Sequence, residues 1–182
     1  PHIKVMADSF KDHGYTVILF DTTNTFGESD GDYSDATTTN YYEDLEDVLN
    51  WSKNKDWYQE PFILTGHSLG AFCSALFAEK YPGKVRALAP ISTVVSGKLS
   101  LKTPQYKGND VLERWKKTGI RETLSESKPG LVKRLKWSHI KDRLKYDLLP
   151  KVSKLTMPVL IIVGEKDDST PINHQKILFD AL

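Results

Sequence analysis

The stretch PFILTGHSLG, Pro61 to Gly70, decides the fold. Its first half is a short apolar run suited to a buried strand, and it turns sharply at Gly66. Beyond it, Leu69, Phe72, Leu76 and Phe77 recur at helical spacing until Pro82 and Gly83 close the segment. Gly66-His67-Ser68-Leu69-Gly70 therefore fits G-x-S-x-G at a strand-to-helix turn. A serine at such a turn is strained and exposes its hydroxyl above the carboxyl end of the strand. Small residues two before and two after it allow close backbone approach. The helix N-terminus that follows favours developing negative charge. A purely structural glycine-rich turn is the competing reading, and the strand before and the helix after weigh against it.

Outward from the turn, helix and strand patterns alternate. Residues 3–13 read as a helix with Ile3, Met6, Ala7 and Phe10 on one side, ended by Gly14. YTVILF (15–20) reads as a buried strand and 21–37 as a loop. Tyr41, Leu45, Val48 and Leu49 mark a helix, with Thr38 or Thr39 as N-cap. VRALAPI (85–91) and MPVLIIVG (157–164) are further strands, and Ile172–Leu182 opens a last helix. This alternation predicts an α/β fold, a mostly parallel sheet flanked by helices. Between the last two strands, about 50 residues show helical patterns and no convincing strand, with breaks at Gly108, Gly119 and Pro129-Gly130. The expected division is a core over 1–96, a helical cap insertion over 97–150, and a second core part over 151–182.

The whole chain has 182 residues and a formal net charge of +1. That total hides an asymmetry, because residues 1–60 hold 4 basic and 13 acidic side chains while 97–150 hold 14 and 6. The basic charges alternate with Val132, Leu135, Ile140 and Leu144, which favours a solvated helical surface over nucleic-acid binding; an anion-facing role is the weaker alternative. One cysteine, Cys73, excludes an internal disulfide framework and a cysteine-based zinc site. No apolar run is long enough to span a membrane and no signal peptide is visible, so a cytoplasmic location is expected.

These motifs resemble the α/β-hydrolase fold family, particularly its serine esterases, lipases and acyl-peptide-type hydrolases. Beside Gly66–Gly70, Gly164-Glu165-Lys166-Asp167 and Pro171 look like the family's acid loop, which implies Asp167 rather than Asp168 as the acidic triad member. The loop Asp21–Gly31 is similar to the segment after the strand preceding the elbow, although Thr22–Phe26 stands where Arg-Gly is frequent. Its Gly27-Glu28-Ser29-Asp30-Gly31 is a second G-x-S-x-G string. No helix follows Ser29 directly, so turn structure near the pocket rim is expected there.

The resemblance implies a serine hydrolase that cleaves carboxylic esters or thioesters through an acyl-enzyme on Ser68. The Leu69 N–H would serve the oxyanion hole, and neither cofactor nor metal is implied. Chain order in the family is Ser, acid, His. His174 follows Asp167 too closely, in what reads as a helix. His67 is adjacent to the nucleophile, and His139 lies in the insertion, from which it could reach the pocket from above. His2 and His13 read as surface residues. The general-base histidine is expected outside this chain, as are the second oxyanion donor and a strand that family topology places between 15–20 and 61–65. The chain thus reads as part of a hydrolase, completed by a longer gene product, a complementing chain or a homo-oligomer. Trp115, Ile120, Leu124, Leu131, Leu135 and Trp137 either line the underside of the cap or hold it together. The alternatives are a non-catalytic binding or assembly domain of the same fold, or a peptidase, lactonase or acyltransferase on the same scaffold.

Overall fold

The computed structural model describes residues 2–108, 110–125 and 128–182. Its elements, in chain order, are α1 (His2–Asp12), α2 (Thr38–Ser52), β1 (Phe62–His67), α3 (Leu69–Lys80), β2 (Val85–Ile91), α4 (Gly97–Ser100), α5 (Val111–Thr118), β3 (Ile120–Leu124), β4 (Val132–Lys136), α6 (Ser138–Arg143) and α7 (Ile172–Ala181). Short 3-10 turns link several of them.

β1 and β2 pair in parallel, with Leu64 opposite Leu88 and His67 opposite Ile91. The expected strand at 157–164 joins the far side of β2, also parallel, through bridges Leu88–Val159 and Ile91–Ile162. It is ordered by four backbone bonds: Leu88 N to Pro158 O, Leu160 N to Leu88 O, Ile162 N to Pro90 O and Ser92 N to Ile162 O. Its outer side is not buried as the sequence pattern suggested, since Leu160 and Ile162 are exposed. α3 packs on β1 and β2, and α2 packs on α3. The shared core contains Leu45, Leu49, Leu64, Phe72, Phe77, Leu88 and Leu178. α3 is buried on nearly all sides, from Ala71 to Glu79 except Leu76, rather than along one stripe. A helix enclosed by a sheet and other helices needs apolar residues all round.

Two expectations are corrected. Residues 15–20 form no strand, and Tyr15, Ile18, Leu19 and Phe20 are exposed. A β-strand exists only where a neighbouring backbone completes its ladder, and no described segment lies alongside this one. Residues 97–150, where the sequence showed no convincing strand, contain an antiparallel hairpin beside short helices. There β3 pairs with β4 from Ile120–Lys136 to Leu124–Val132, and Glu122 lies opposite Arg134 in a 2.7 Å ion pair. Pro129-Gly130 belongs to the hairpin connection, with Gly130 at φ 81°.

The cap has its own small core around Trp115, which is 2% exposed. Its Nε1 donates to Leu135 O at 2.9 Å, and its ring meets Trp137 edge-on and stacks on His139. Trp115 and Trp137 thus hold the cap together, whereas Ile120 and Leu124 face solvent. Docking of the cap on α2 is polar. The Asp142 carboxylate accepts from Thr39 N at 2.8 Å and Thr39 Oγ1 at 2.7 Å, at the N-terminus of α2, where a negative charge is favoured. The N-cap is Thr37, one position before Thr38 and two before Thr39, and its side chain accepts from Asn40 N. The charge asymmetry of the sequence meets at this seam, where Lys136 of β4 pairs with Asp35 at 2.5 Å.

Candidate active site

Ser68 sits between β1 and α3 at φ 54° and ψ −118°, a positive-φ conformation that L residues rarely adopt. The backbone around it enforces this. Ser68 N donates to Ile91 O at 2.9 Å and Ser68 O accepts from Phe72 N at 3.1 Å. A Cβ on Gly66 would stand 2.6 Å from the Gly70 carbonyl carbon and 2.7 Å from Ala71 N, so only glycine fits there. A Cβ on Gly70, by contrast, would meet nothing within 4 Å, so the expected close approach applies to the first glycine alone. Serine at a helix N-cap ordinarily spends its hydroxyl on a backbone amide. Ser68 makes no such side-chain bond, and its Oγ is left for other work. Leu69 is the first residue of α3, and its N–H belongs to the helix's unsatisfied amino-terminal set.

A cavity of about 280 Å³ opens over this turn, lined by His67, Ser68, Leu69 and Gly70 from the elbow, Tyr33, Ala36 and Tyr41 from the loop and α2, and Val94, Leu135, His139 and Arg143. Three residues of 97–150 thus line the same cavity as Ser68, and Leu135 is the member of the expected apolar underside among them. Tyr33 is held by Phe26, whose ring stacks on it at 4.2 Å. Ser29 is occupied in turn structure, donating from Oγ to Asp21 O at 2.5 Å, as expected.

Asp167 lies beyond the 158–162 segment, on the same carboxyl-terminal edge of the sheet as Ser68, with the end of β2 between them. Its Oδ1 accepts from Ser169 N at 2.9 Å and Thr170 N at 2.8 Å, and its Oδ2 accepts from Thr170 Oγ1 at 2.9 Å. Burial alone would raise its pKa, but these bonds and the Ser92 hydroxyl outweigh it and hold the carboxyl below the usual range. Ser92 is itself strained, at φ 46°. Asp167 is therefore an ionised carboxylate in a fixed orientation.

Neither His139 nor His174 completes a triad in this arrangement. His139 reaches the cavity from the cap, but its Nδ1 donates to Ala36 O at 2.9 Å, and burial and the Arg143 charge push its pKa down to about 4. His174 lies on α7, buried, with its pKa lowered by burial and by Lys102, and no hydrogen bond joins its ring to Asp167. Among the described residues no helix is long and apolar enough to cross a membrane, and no cluster of His, Cys, Asp and Glu is placed to hold a metal. Sequence reasoning missed Tyr33, Tyr41, Val94 and Arg143 as cavity residues. They come from three separate segments, and none belongs to a motif.

Residues 2–138 match the family described as serine aminopeptidase, S33. The chain belongs to that family of α/β hydrolases. An uncharacterised 31.7 kDa protein from the traX-finO intergenic region of Escherichia coli is 26% identical over 203 residues, covering 97% of this chain and 71% of that protein. Mitochondrial palmitoyl-protein thioesterase ABHD10 of Mus musculus is 29% identical over 167 residues, covering 88% of this chain and 52% of its own. The solved mouse structure superposes with a TM-score of 0.74 at 26% identity, over 98% of this chain and 69% of that one. Est1E of Butyrivibrio proteoclasticus with ferulic acid bound shares the fold, with a TM-score of 0.69 at 21% identity over 88% of this chain and 61% of that one. The chain thus spans about half of the curated thioesterase and less than two thirds of Est1E.

Proposed function

We propose that this chain carries the nucleophile and acid of a serine hydrolase acting on carboxylic esters or thioesters. The observation that carries the reading is Ser68, held at φ 54° on a strand-to-helix turn, free of capping and facing a covered cavity. In the reaction, Ser68 Oγ attacks the substrate carbonyl and loses its proton to a histidine base. The Leu69 amide, at the positive end of α3, donates to the oxyanion. The base returns the proton to the departing alkoxide or thiolate as the acyl–oxygen or acyl–sulfur bond breaks. Water, deprotonated by the same base, then releases the acid and regenerates Ser68. Asp167 orients that base and stabilises its charged form. The base and the second oxyanion donor are assigned to residues outside these 182. In support, His139 Nδ1 is bonded to Ala36 O rather than to a carboxylate, burial and Arg143 disfavour the imidazolium that a base must form, and His174 is not hydrogen-bonded to Asp167. The thioester branch is suggested by the mouse relative, a palmitoyl-protein thioesterase. The test is labelling of the full-length gene product with a fluorophosphonate probe. A label on Ser68 that is lost in Ser68→Ala supports the reading. A well-folded protein that stays unlabelled, and hydrolyses no p-nitrophenyl ester, overturns it in favour of a non-catalytic domain of the same fold.

A further inference from the structure

Arg143 is the unusual member of the Ser68 cavity. It ends α6, is 7% exposed, and lines the cavity together with Ser68 and His139. Its backbone is clamped, because a Cβ on Gly97 would stand 2.1 Å from Arg143 O, and Gly97 N donates to Tyr146 O at 2.9 Å. Its Nη2 donates to Tyr106 Oη at 3.1 Å, and its Nε meets no partner. Among the described residues no carboxylate pairs with it. The adjacent Asp142 is turned to Thr39 and Lys145 instead. A guanidinium has five donors and cannot lose its charge, so burying one without a counter-charge costs several kcal/mol or more. Burial of this kind persists where a ligand supplies the missing charge. The charge is felt inside the cavity, since it helps keep His139 unprotonated.

From this geometry we infer that Arg143 forms an anion subsite of the Ser68 cavity, which selects esters carrying a carboxylate near the scissile carbonyl. The inference rests on the reading of Ser68 as nucleophile and names the substrate class of that site. A planar carboxylate matches the guanidinium fork and would supply the counter-charge that Arg143 lacks among the described residues. Ser68 and Arg143 line the same cavity of about 280 Å³, so the carboxylate would sit near the scissile carbonyl.

The test compares mono-p-nitrophenyl glutarate with its neutral methyl ester, and 4-carboxyphenyl valerate with phenyl valerate, on the full-length gene product. The first pair places the carboxylate in the acyl group and the second in the leaving group. In at least one pair, the anionic substrate should have a kcat/KM tenfold or more above the neutral one. That ratio should fall at least tenfold in Arg143→Gln and be partly kept in Arg143→Lys. Ratios near one in both pairs, or ratios unchanged in Arg143→Gln, overturn the inference while leaving the hydrolase reading standing. A readout without turnover separates the two failures. Glutarate should raise the Tm of Ser68→Ala, and should not raise that of Ser68→Ala/Arg143→Gln. Equal shifts in both, or none in either, count against the subsite whether or not any ester is cleaved.

Discussion

Replacing Glu79 with glutamine should stabilise the protein in alkaline solution and do little in acid. Glu79 lies in the last turn of α3, is 6% exposed, and its Oε1 has no hydrogen-bond donor. Burial pushes its carboxyl up to about 8; Lys151 opposes the rise and Asp147 adds to it. The folded pKa lies above the unfolded one, so the protonated form belongs to the native state. Stability from this group is fully present below the ordinary value of 4.5 and is lost as pH rises through about 8. The difference between those two values is worth about 5 kcal/mol at most, and about 4 kcal/mol of it accumulates between about pH 5 and pH 9. Local relaxation and water entry reduce the measured figure to about 2–4 kcal/mol. Urea unfolding of wild type and Glu79→Gln at the two pH values isolates the effect, because other titrating groups cancel between the proteins. The variant should be within about 1 kcal/mol of wild type at the lower pH and well above it at the higher. An equal difference at both would refute the argument that Glu79 is buried without a compensating charge.

Three further substitutions probe the turn and the cap. Gly66→Ala drives a Cβ into the Gly70–Ala71 backbone, so it should cost about 1–3 kcal/mol or more in chemical unfolding and distort Ser68. Fluorophosphonate labelling should drop with it. Asp142→Asn weakens charge-assisted bonds at the start of α2 and should cost about 1–3 kcal/mol at neutral pH. The Asp142 carboxyl is held below 3.8, chiefly by Lys145 and Thr39 against the opposing effect of burial. Its contribution is therefore present above that value and lost as pH falls through the native pKa, so the variant and wild type should converge in strong acid. His139→Gln tests the neutral cap histidine. With its pKa lowered from 6.5 to about 4, His139 contributes stability that is present above 6.5 and lost by about 3 kcal/mol as pH falls to 4. Thermal melts of the variant across that interval should be flatter than those of wild type.

The core was legible because its signals are local. Gly66–Gly70, the apolar runs at 62–65 and 85–91 and the helix after Ser68 each carry their period within a dozen residues. The structure places all of them as the pattern predicts. The strand reading of 15–20 failed for a non-local reason, since YTVILF has the composition of a strand but no described partner to complete a ladder. β3 and β4 were hidden in a different way. IRETL carries adjacent charges at Arg121 and Glu122, and VKRLK carries them at Lys133, Arg134 and Lys136; the strands pair through Glu122 and Arg134 rather than through a buried face, so no apolar period marks them. The Pro129-Gly130 turn signal is present in the sequence, but without apolar alternation on either side it reads as a break between helices rather than a hairpin turn.

The same contrast explains why the reaction class is easier to infer than the substrate. The candidate nucleophile is marked by backbone geometry, and that geometry needs glycine at position 66 and a serine that forgoes capping, which leaves a short motif in the sequence. The cavity above it is specified by docking. Tyr33, Tyr41, His139 and Arg143 converge because Asp142 caps α2, Lys136 reaches Asp35, and Gly97 lets α4 press against the end of α6. None of those contacts has a periodicity or a spacing. The acidic first third and the basic insertion, which nearly cancel in the net charge, meet partly at this seam. Two basic side chains there have different fates. Lys136 is half exposed and paired with Asp35, whereas Arg143 is buried with no acidic partner among the described residues. An exposed lysine can be explained by docking and solvation alone. A buried arginine that shares its cavity with the candidate nucleophile cannot, and this makes charge on the substrate the first property to vary.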